Sequence, residues 1–209
     1  MTARDAATAA LDLTVGGITT DATTAAELFA VVDLLDGQPM LRRSLSDPSS
    51  TDAARAGLAE RLLAGKVSPT TISVVAAVVK APWSSGNALV AGLERQGVRI
   101  ALEASRASGR LDTVERELFA VARTVDENSD LSAALRSLAY PLDGKRALVA
   151  RLIAGKVDQV TEQLASRAVR ARRRTFPLTV ESYLEMAADL GGQKIARVTQ
   201  PNSFSRARK

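Results

Sequence analysis

The chain has 209 residues, 46% of them hydrophobic, which is enough for one large domain or two small ones with apolar cores. It contains neither cysteine nor histidine, which excludes disulfides, thiolate metal sites and the nucleophile pairs that depend on histidine. The net charge of +5 lies in residues 194–209, which carry five basic side chains and no acid, so the remainder is neutral and indicates no basic binding face. No apolar run approaches the roughly 20 residues of a membrane-spanning helix, so we expect no direct membrane insertion.

The first half of the chain is predicted to be helical. Residues 14–24 contain two glycines and five threonines, which predicts a short or poorly formed first helix. Leu28 and Leu35 belong to an apolar stripe at helical spacing, and further stripes follow up to a helix around Leu93. Residues 99–107 are predicted to form a separate helix that opens the second half.

The second half repeats this pattern with clearer helix ends. Asp112 is the expected N-cap of a helix with a regular apolar stripe. Asp143 is expected to cap a later helix that carries Leu148 and Leu152 and ends at Gly155, where a glycine suits the position after a helix.

The two halves are similar in sequence, which predicts a duplicated domain. The string ELFAV at 27–31 recurs ninety residues later, and RLLAGKV at 61–67 recurs at the same distance with one substitution. Between them, RSLSDP at 43–48 matches RSLAYP at 136–141 at an offset of 93, which implies a three-residue insertion followed by a deletion. A period near ninety is too long for a solenoid repeat.

These patterns predict an all-α fold of two tandem helical bundles, each of about five to six helices. The first bundle is assigned to residues 1–95 and the second to 96–193. Residues 194–209 are polar and basic with little apolar periodicity, which predicts a short disordered tail.

Several motifs resemble those of the delta subunits of F-type ATP synthases. SGRLDTVEREL at 108–118 is similar to the signature that opens the family's second helix, and LIAGKV at 152–157 is similar to a later block, which LLAGKVSP at 62–69 matches even better. The resemblance covers about residues 96–199 as one N-terminal helical domain of the family. The first half resembles the extra, diverged copy of actinobacterial members.

The resemblance implies a non-catalytic stator subunit of the peripheral stalk that supports proton-driven ATP synthesis at the cytoplasmic side of the bacterial cell membrane, without cofactor or metal. In this family the N-terminal domain is a six-helix bundle on the catalytic head, and it holds N-terminal helices of the alpha subunits between its first and fifth helices. Eight groove residues are assigned to this chain by resemblance: Ile100, Ala101, Ala104, Ser105, Val160, Leu164, Ala165 and Ala168. The alternative for each of them is packing within the bundle.

The resemblance changes near the end of the chain. Residues 193–199 are similar to the start of the first strand of the family's C-terminal domain, which grips the b subunit of the stalk, but ten further residues end the sequence. We therefore expect a truncated C-terminal domain, which leaves the b-subunit contact doubtful. A fusion to a b-like stalk with a membrane helix, as in some actinobacteria, is not seen in this sequence.

Two other functions stay open. Five arginines crowd one stretch and could bind phosphates as part of an RNA-binding or transcription factor: Arg167, Arg170, Arg172, Arg173 and Arg174. Phe119 and Tyr183 are expected on core faces, however, so exposed aromatic platforms for bases are missing and we expect no nucleic-acid partner. The third possibility is a truncated fragment without function.

Overall fold

The computed structural model describes residues 3–170 and 175–198, and this part of the chain is helical without strands, which confirms the all-α prediction. The described residues form eleven helices: α1 (Ala3–Gly16), α2 (Ala22–Gly37), α3 (Pro39–Leu45), α4 (Asp52–Leu63), α5 (Pro69–Lys80), α6 (Gly86–Ala107), α7 (Leu111–Glu127), α8 (Ser129–Arg136), α9 (Leu142–Ile153), α10 (Gln159–Ala168) and α11 (Phe176–Val198).

The chain forms two compact units, Met1–Ala104 and Ser105–Lys209. In the first unit α5 is central, because it packs against α1, α2 and α4, while α3 contacts both α2 and α4. All four valines of α5 are completely buried, so this helix supplies much of the apolar core. The domain boundary at 95/96 stays a prediction from the sequence repeat.

In the second unit α7 is central and packs against α8, α10 and α11, while α9 contacts α8 and α10. The predicted stripe of α7 is buried: Val114, Leu118, Val121 and Val125. Their spacing of three or four residues places them on one side of the helix, which therefore faces the core of this unit.

Two expected N-caps are wrong. The helix α7 begins at Leu111, one residue before Asp112, and its N-cap residue Arg110 makes no capping hydrogen bond through its side chain. The helix α9 begins at Leu142, so Asp143 lies in the first turn instead of before it. Both carboxylates still favour the helix, because a negative charge near the N-terminus interacts well with the helix dipole.

The two units correspond at an offset of ninety throughout. The helix α4 begins at Asp52 and α9 begins at Leu142, ninety residues later. The third helix of each repeat buries one leucine, Leu45 in α3 and Leu135 in α8, again ninety apart. The sequence match at an offset of 93 is therefore not the structural one, and neither an insertion nor a deletion is needed.

The segment predicted as two helices is the single 22-residue helix α6. Its start at Gly86 lies ninety residues before the start of α11 at Phe176, and its residues 93–106 lie ninety residues after α1. No proline interrupts α6, and Gly97 in its interior is tolerated by a helix although it weakens it. The helix α6 therefore corresponds both to the last helix of one repeat and to the first helix of the next.

Both ends of the described chain differ from expectation. The helix α1 has 14 residues, so the expected short first helix is wrong, and only the middle of the glycine- and threonine-rich stretch, residues 17–21, links α1 to α2. Residues 193–198, expected to begin a strand, continue α11 up to Val198. The basic tail predicted to be disordered lies, over residues 199–209, outside the described residues.

The predicted helix end at Gly155 is confirmed, because α9 ends at Ile153, two residues earlier. Gly155 has a φ of 69°, and its counterpart Gly65, two residues after α4, has a φ of 71°. This left-handed conformation is strained for residues with a side chain, so glycine is the residue that stops both helices in the same way.

Phe29 and Phe119 occupy equivalent positions in the two units but differ in burial. Phe29 of α2 is buried against α6, where a Cβ added to Gly97 would lie 2.7 Å from the phenylalanine Cε1 atom. Its counterpart Phe119 is 57% exposed, so its expected core position is wrong, whereas Tyr183 is buried as expected. In the second unit the residue at the position of Gly97 is Ala187, which is itself buried, and its methyl group takes the space that a ring would need.

Candidate functional site

The helix α10 contributes four of the eight candidate groove residues: Val160, Leu164, Ala165 and Ala168. Steps of four residues place Val160, Leu164 and Ala168 on one face of the helix, with Ala165 beside them. All four are buried, so this face of α10 packs inside the second unit, in which α10 contacts α7, α9 and α11.

A carboxylate of α7 fixes the start of α10. The Oε2 atom of Glu117 accepts hydrogen bonds from the backbone N–H of Asp158 (2.7 Å) and from the hydroxyl of Thr161 (2.6 Å). Asp158 in turn accepts hydrogen bonds from the backbone N–H of Val160 (2.8 Å) and from Arg110 (2.7 Å). These contacts satisfy backbone donors that the first turn of a helix leaves unpaired, and they hold α10 against α7.

The first unit contains the same contact ninety residues earlier. The Oε2 atom of Glu27 accepts hydrogen bonds from the hydroxyl (2.6 Å) and the backbone N–H (3.0 Å) of Ser68, and from the hydroxyl of Thr71. The hydrogen bonds from the side chains of Ser68 and Thr71 favour the charged carboxylate and lower the pKa of Glu27 below its usual value.

The other four candidate residues lie in the C-terminal half of α6. Ile100, Ala101 and Ser105 are buried, whereas Ala104 is half-buried. Ser105 belongs to the second unit, together with α10, and the other three belong to the first unit. Of the eight residues, Ala104 is therefore the one that a partner reaches from solvent without displacing neighbouring side chains.

The eight residues carry no titratable group, so they supply neither a general acid nor a general base. Over residues 3–170 and 175–198, no group of three acidic side chains stands close enough to hold a metal ion. Small and aliphatic side chains at helical spacing are suited to packing against another helix.

The arginine cluster is turned partly inward. Arg167 is buried and Arg170 is half-buried, and both make contacts within the chain. Arg172, Arg173 and Arg174 lie outside the described residues. A guanidinium packed inside the bundle is not available to a phosphate, so the described part of this cluster does not support nucleic-acid binding.

Sequence reasoning missed two exposed apolar side chains in the link between α8 and α9. Leu138 is fully exposed, and Tyr140 is 51% exposed. The signal that could have found them is the first repeat, in which Pro48 and Ser50 stand ninety residues earlier in a polar link.

Comparison with known proteins assigns the family. Residues 100–209 match the family described as ATP synthase delta (OSCP) subunit, and this range contains all eight candidate groove residues. The chain belongs to the ATP synthase delta (OSCP) subunit family. As a delta-type subunit it is a structural, non-catalytic component that associates with the ATP synthase complex.

Several bacterial relatives named ATP synthase subunit delta are similar over both units. The protein of Corynebacterium urealyticum is 41% identical over 189 residues, which are 90% of this chain and 69% of the relative. That of Nocardia farcinica is 40% identical over 195 residues, which are 93% of this chain and 71% of the relative. That of Streptomyces coelicolor is 39% identical over 184 residues, 88% of this chain and 67% of the relative.

Delta-family membership also agrees with a peripheral position in the complex. Among the helices of the described residues, none combines the length and the apolar character needed to cross a bilayer.

Proposed function

We propose that this delta-family chain is a stator subunit that connects the catalytic head of the ATP synthase to its peripheral stalk by binding N-terminal helices of the alpha subunits. The observation that carries the proposal is the family match over residues 100–209, which spans every candidate groove residue on α6 and α10. By holding the head, such a subunit resists its rotation and so supports proton-driven ATP synthesis. We place this role at the cytoplasmic side of the bacterial cell membrane.

The proposed partner is an amphipathic helix whose apolar face lies along the C-terminal half of α6 and along α10. Ala104 supports this proposal, because a small, partly exposed side chain lets another helix approach closely. The half-buried position of Ala104 makes it the residue at which an added bulky group would meet the incoming helix first.

Calorimetric titration of the purified chain with a peptide of the alpha-subunit N-terminus from the same organism tests the proposal. We expect saturable binding, and Ala104→Trp should weaken it by about tenfold or more, because an indole at this position occupies the space of the peptide. The matched control is Thr14→Trp, since Thr14 is exposed at the position ninety residues before Ala104 and should leave binding unchanged.

Circular dichroism of each variant checks that the bundle is still folded. Failure of the folded wild-type chain to bind the peptide would exclude the alpha-subunit contact. Equal weakening by both tryptophan variants would show that position 104 has no special part in it.

A further inference from the structure

An ion pair joins the turn between α6 and α7 to the start of α10 in the second repeat. The Nη1 atom of Arg110 donates a hydrogen bond to the Oδ2 atom of Asp158 (2.7 Å), and its Nε atom donates one to the hydroxyl of Ser108 (3.2 Å). That hydroxyl donates to the backbone oxygen of Ser105 (3.0 Å), a candidate groove residue near the end of α6. Asp158 stands two positions before Val160, a candidate groove residue of α10. The ion pair therefore connects the ends of the two helices that carry the groove residues.

The first repeat lacks this ion pair. Thr20 and Ser68 stand ninety residues before Arg110 and Asp158, and both are uncharged. The start of the helix needs no acid at this position, because the hydroxyl of Ser68 caps α5 by accepting a hydrogen bond from the backbone N–H of Thr71 (3.2 Å). The charge of Asp158 is therefore additional to its capping role, and it occurs in the repeat that contains the candidate groove.

Arg110 is poorly suited to the helix that it precedes. It stands at the N-cap of α7 without a capping hydrogen bond from its side chain, and a cation near a helix N-terminus interacts unfavourably with the helix dipole. In the first repeat, α2 begins with a capping box formed by Asp21 and Thr24. The ion pair that the arginine makes is instead with Asp158, at the start of another helix.

The fold does not depend on this ion pair. The side chain of Arg110 is 54% exposed and that of Asp158 is 11% exposed, and an ion pair with an exposed partner contributes little to stability. The start of α10 is fixed independently by Glu117, which accepts hydrogen bonds from the backbone N–H of Asp158 and from the hydroxyl of Thr161. Removal of the two charges therefore leaves α10 attached to α7 but releases the turn that follows α6.

We propose that Arg110 and Asp158 are positioning residues, which hold the end of α6 and the start of α10 at the spacing that an incoming helix needs. This role rests on the proposed function, because it concerns the same groove. A site that is already in its bound arrangement binds more tightly, since less conformational freedom is lost on binding. The ion pair also makes the affinity sensitive to salt, because dissolved ions screen a half-exposed charge.

A double-mutant cycle of peptide affinity tests this positioning role in the full chain. Arg110→Thr and Asp158→Ser introduce the residues of the first repeat, and each is titrated with the alpha-subunit N-terminal peptide, alone and combined. We expect each single variant to bind about two- to fivefold more weakly and the double variant to bind no more weakly than either. At about 1 M salt the wild type should lose this advantage, because charges are then screened within about 3 Å.

Urea unfolding separates positioning from a purely structural role. The midpoints of both single variants should stay close to that of the wild type, although their affinities fall. The matched control is Arg123→Thr, which removes an exposed ion pair with Glu127 on α7 and should leave the affinity unchanged. Unchanged affinity of the two variants, additive effects in the cycle, or equal weakening by Arg123→Thr would overturn the proposal.

Spin labels provide a measurement that does not depend on the peptide. The chain has no cysteine, so Ala107→Cys and Glu162→Cys allow labels to be attached only at two exposed positions, at the end of α6 and in the first turn of α10. The distances between the labels should spread over a wider range in Asp158→Ser than in the wild type, and an equal spread would overturn the proposal. If the folded wild type binds no peptide, the proposed function fails, whereas this spread still decides whether the ion pair holds the two helix ends.

Discussion

At the scale of single residues, Glu117 and Glu115 lie two positions apart on α7, but the fold favours the charge of the first and disfavours that of the second. Glu117 accepts two hydrogen bonds from the start of α10, so Glu117→Gln should lower the free energy of unfolding by about 1–2 kcal/mol through loss of charge-assisted hydrogen bonds. Burial, with a smaller contribution from Asp112, raises the pKa of Glu115, so its charge is disfavoured in the fold. Glu115→Gln is therefore the control, with unchanged or slightly higher stability in urea unfolding.

Glu27 predicts a dependence of stability on acid. Its pKa is lowered from the ordinary value of 4.5 by the hydrogen bonds from Ser68 and Thr71, so below that value the unfolded chain binds its proton first. The stabilising contribution of the carboxylate is present above pH 4.5 and is lost as the pH falls through the lower pKa of the folded state. Urea unfolding of the wild type and Glu27→Gln between pH 7 and pH 3 measures it. The difference between the two should shrink in acid, and a constant difference would contradict the assignment.

The contacts of Glu27 and Glu117 could not be predicted from the sequence. Repetition of ELFAV indicated that Glu27 and Glu117 occupy equivalent positions, but not what they bind. Each carboxylate contacts residues 41 and 44 positions further along the chain, and periodicity within a helix contains no information on partners at that separation.

At the scale of helices, the contact between α2 and α6 depends on the absence of a side chain at Gly97. Gly97→Ala should destabilise the chain by about 1–3 kcal/mol, because the new Cβ would lie 2.7 Å from the ring of Phe29, although alanine is the better helix former. The control is Gly57→Ala in α4, where the added Cβ meets only the end of Arg61 at 3.5 Å and should stabilise the helix. Thermal or urea unfolding separates the two, and stabilisation by both would disprove the close contact at Gly97.

Local sequence signals predicted the helices well, but they predicted the burial of individual apolar side chains less well. The stripe of α7 and the end of α9 before Gly155 follow from spacing and from one glycine, so the sequence was sufficient there. The exposure of Phe119 could not be read in the same way, because several apolar residues compete for one core face and the neighbouring helices decide which of them enters.

The candidate groove shows the same limit. The resemblance identified eight positions on two helices, of which seven are buried and Ala104 alone is half-buried. An amphipathic stripe has the same spacing whether it meets its own bundle or a partner, so only the packing distinguishes the two.

At the scale of the whole molecule, attachment through protein contacts predicts release from membranes without detergent. In cell extracts the chain should sediment with the membranes as part of the ATP synthase and appear in the supernatant after a wash that separates subunits, such as dilute urea. An integral protein of the same membrane is the control and should stay in the pellet. Retention of the chain until detergent is added would contradict its peripheral position.

The helix α6 counts in both repeats, which is why the described residues contain eleven helices where two complete six-helix repeats would have twelve. In such a chain, neighbouring repeats share one helix instead of each having its own. A third repeat joined in the same way would add about ninety residues and five helices, because its first helix is already present as the last helix of the repeat before it. For the same reason, fragments that preserve each repeat must overlap, and both must retain Gly86–Ala107.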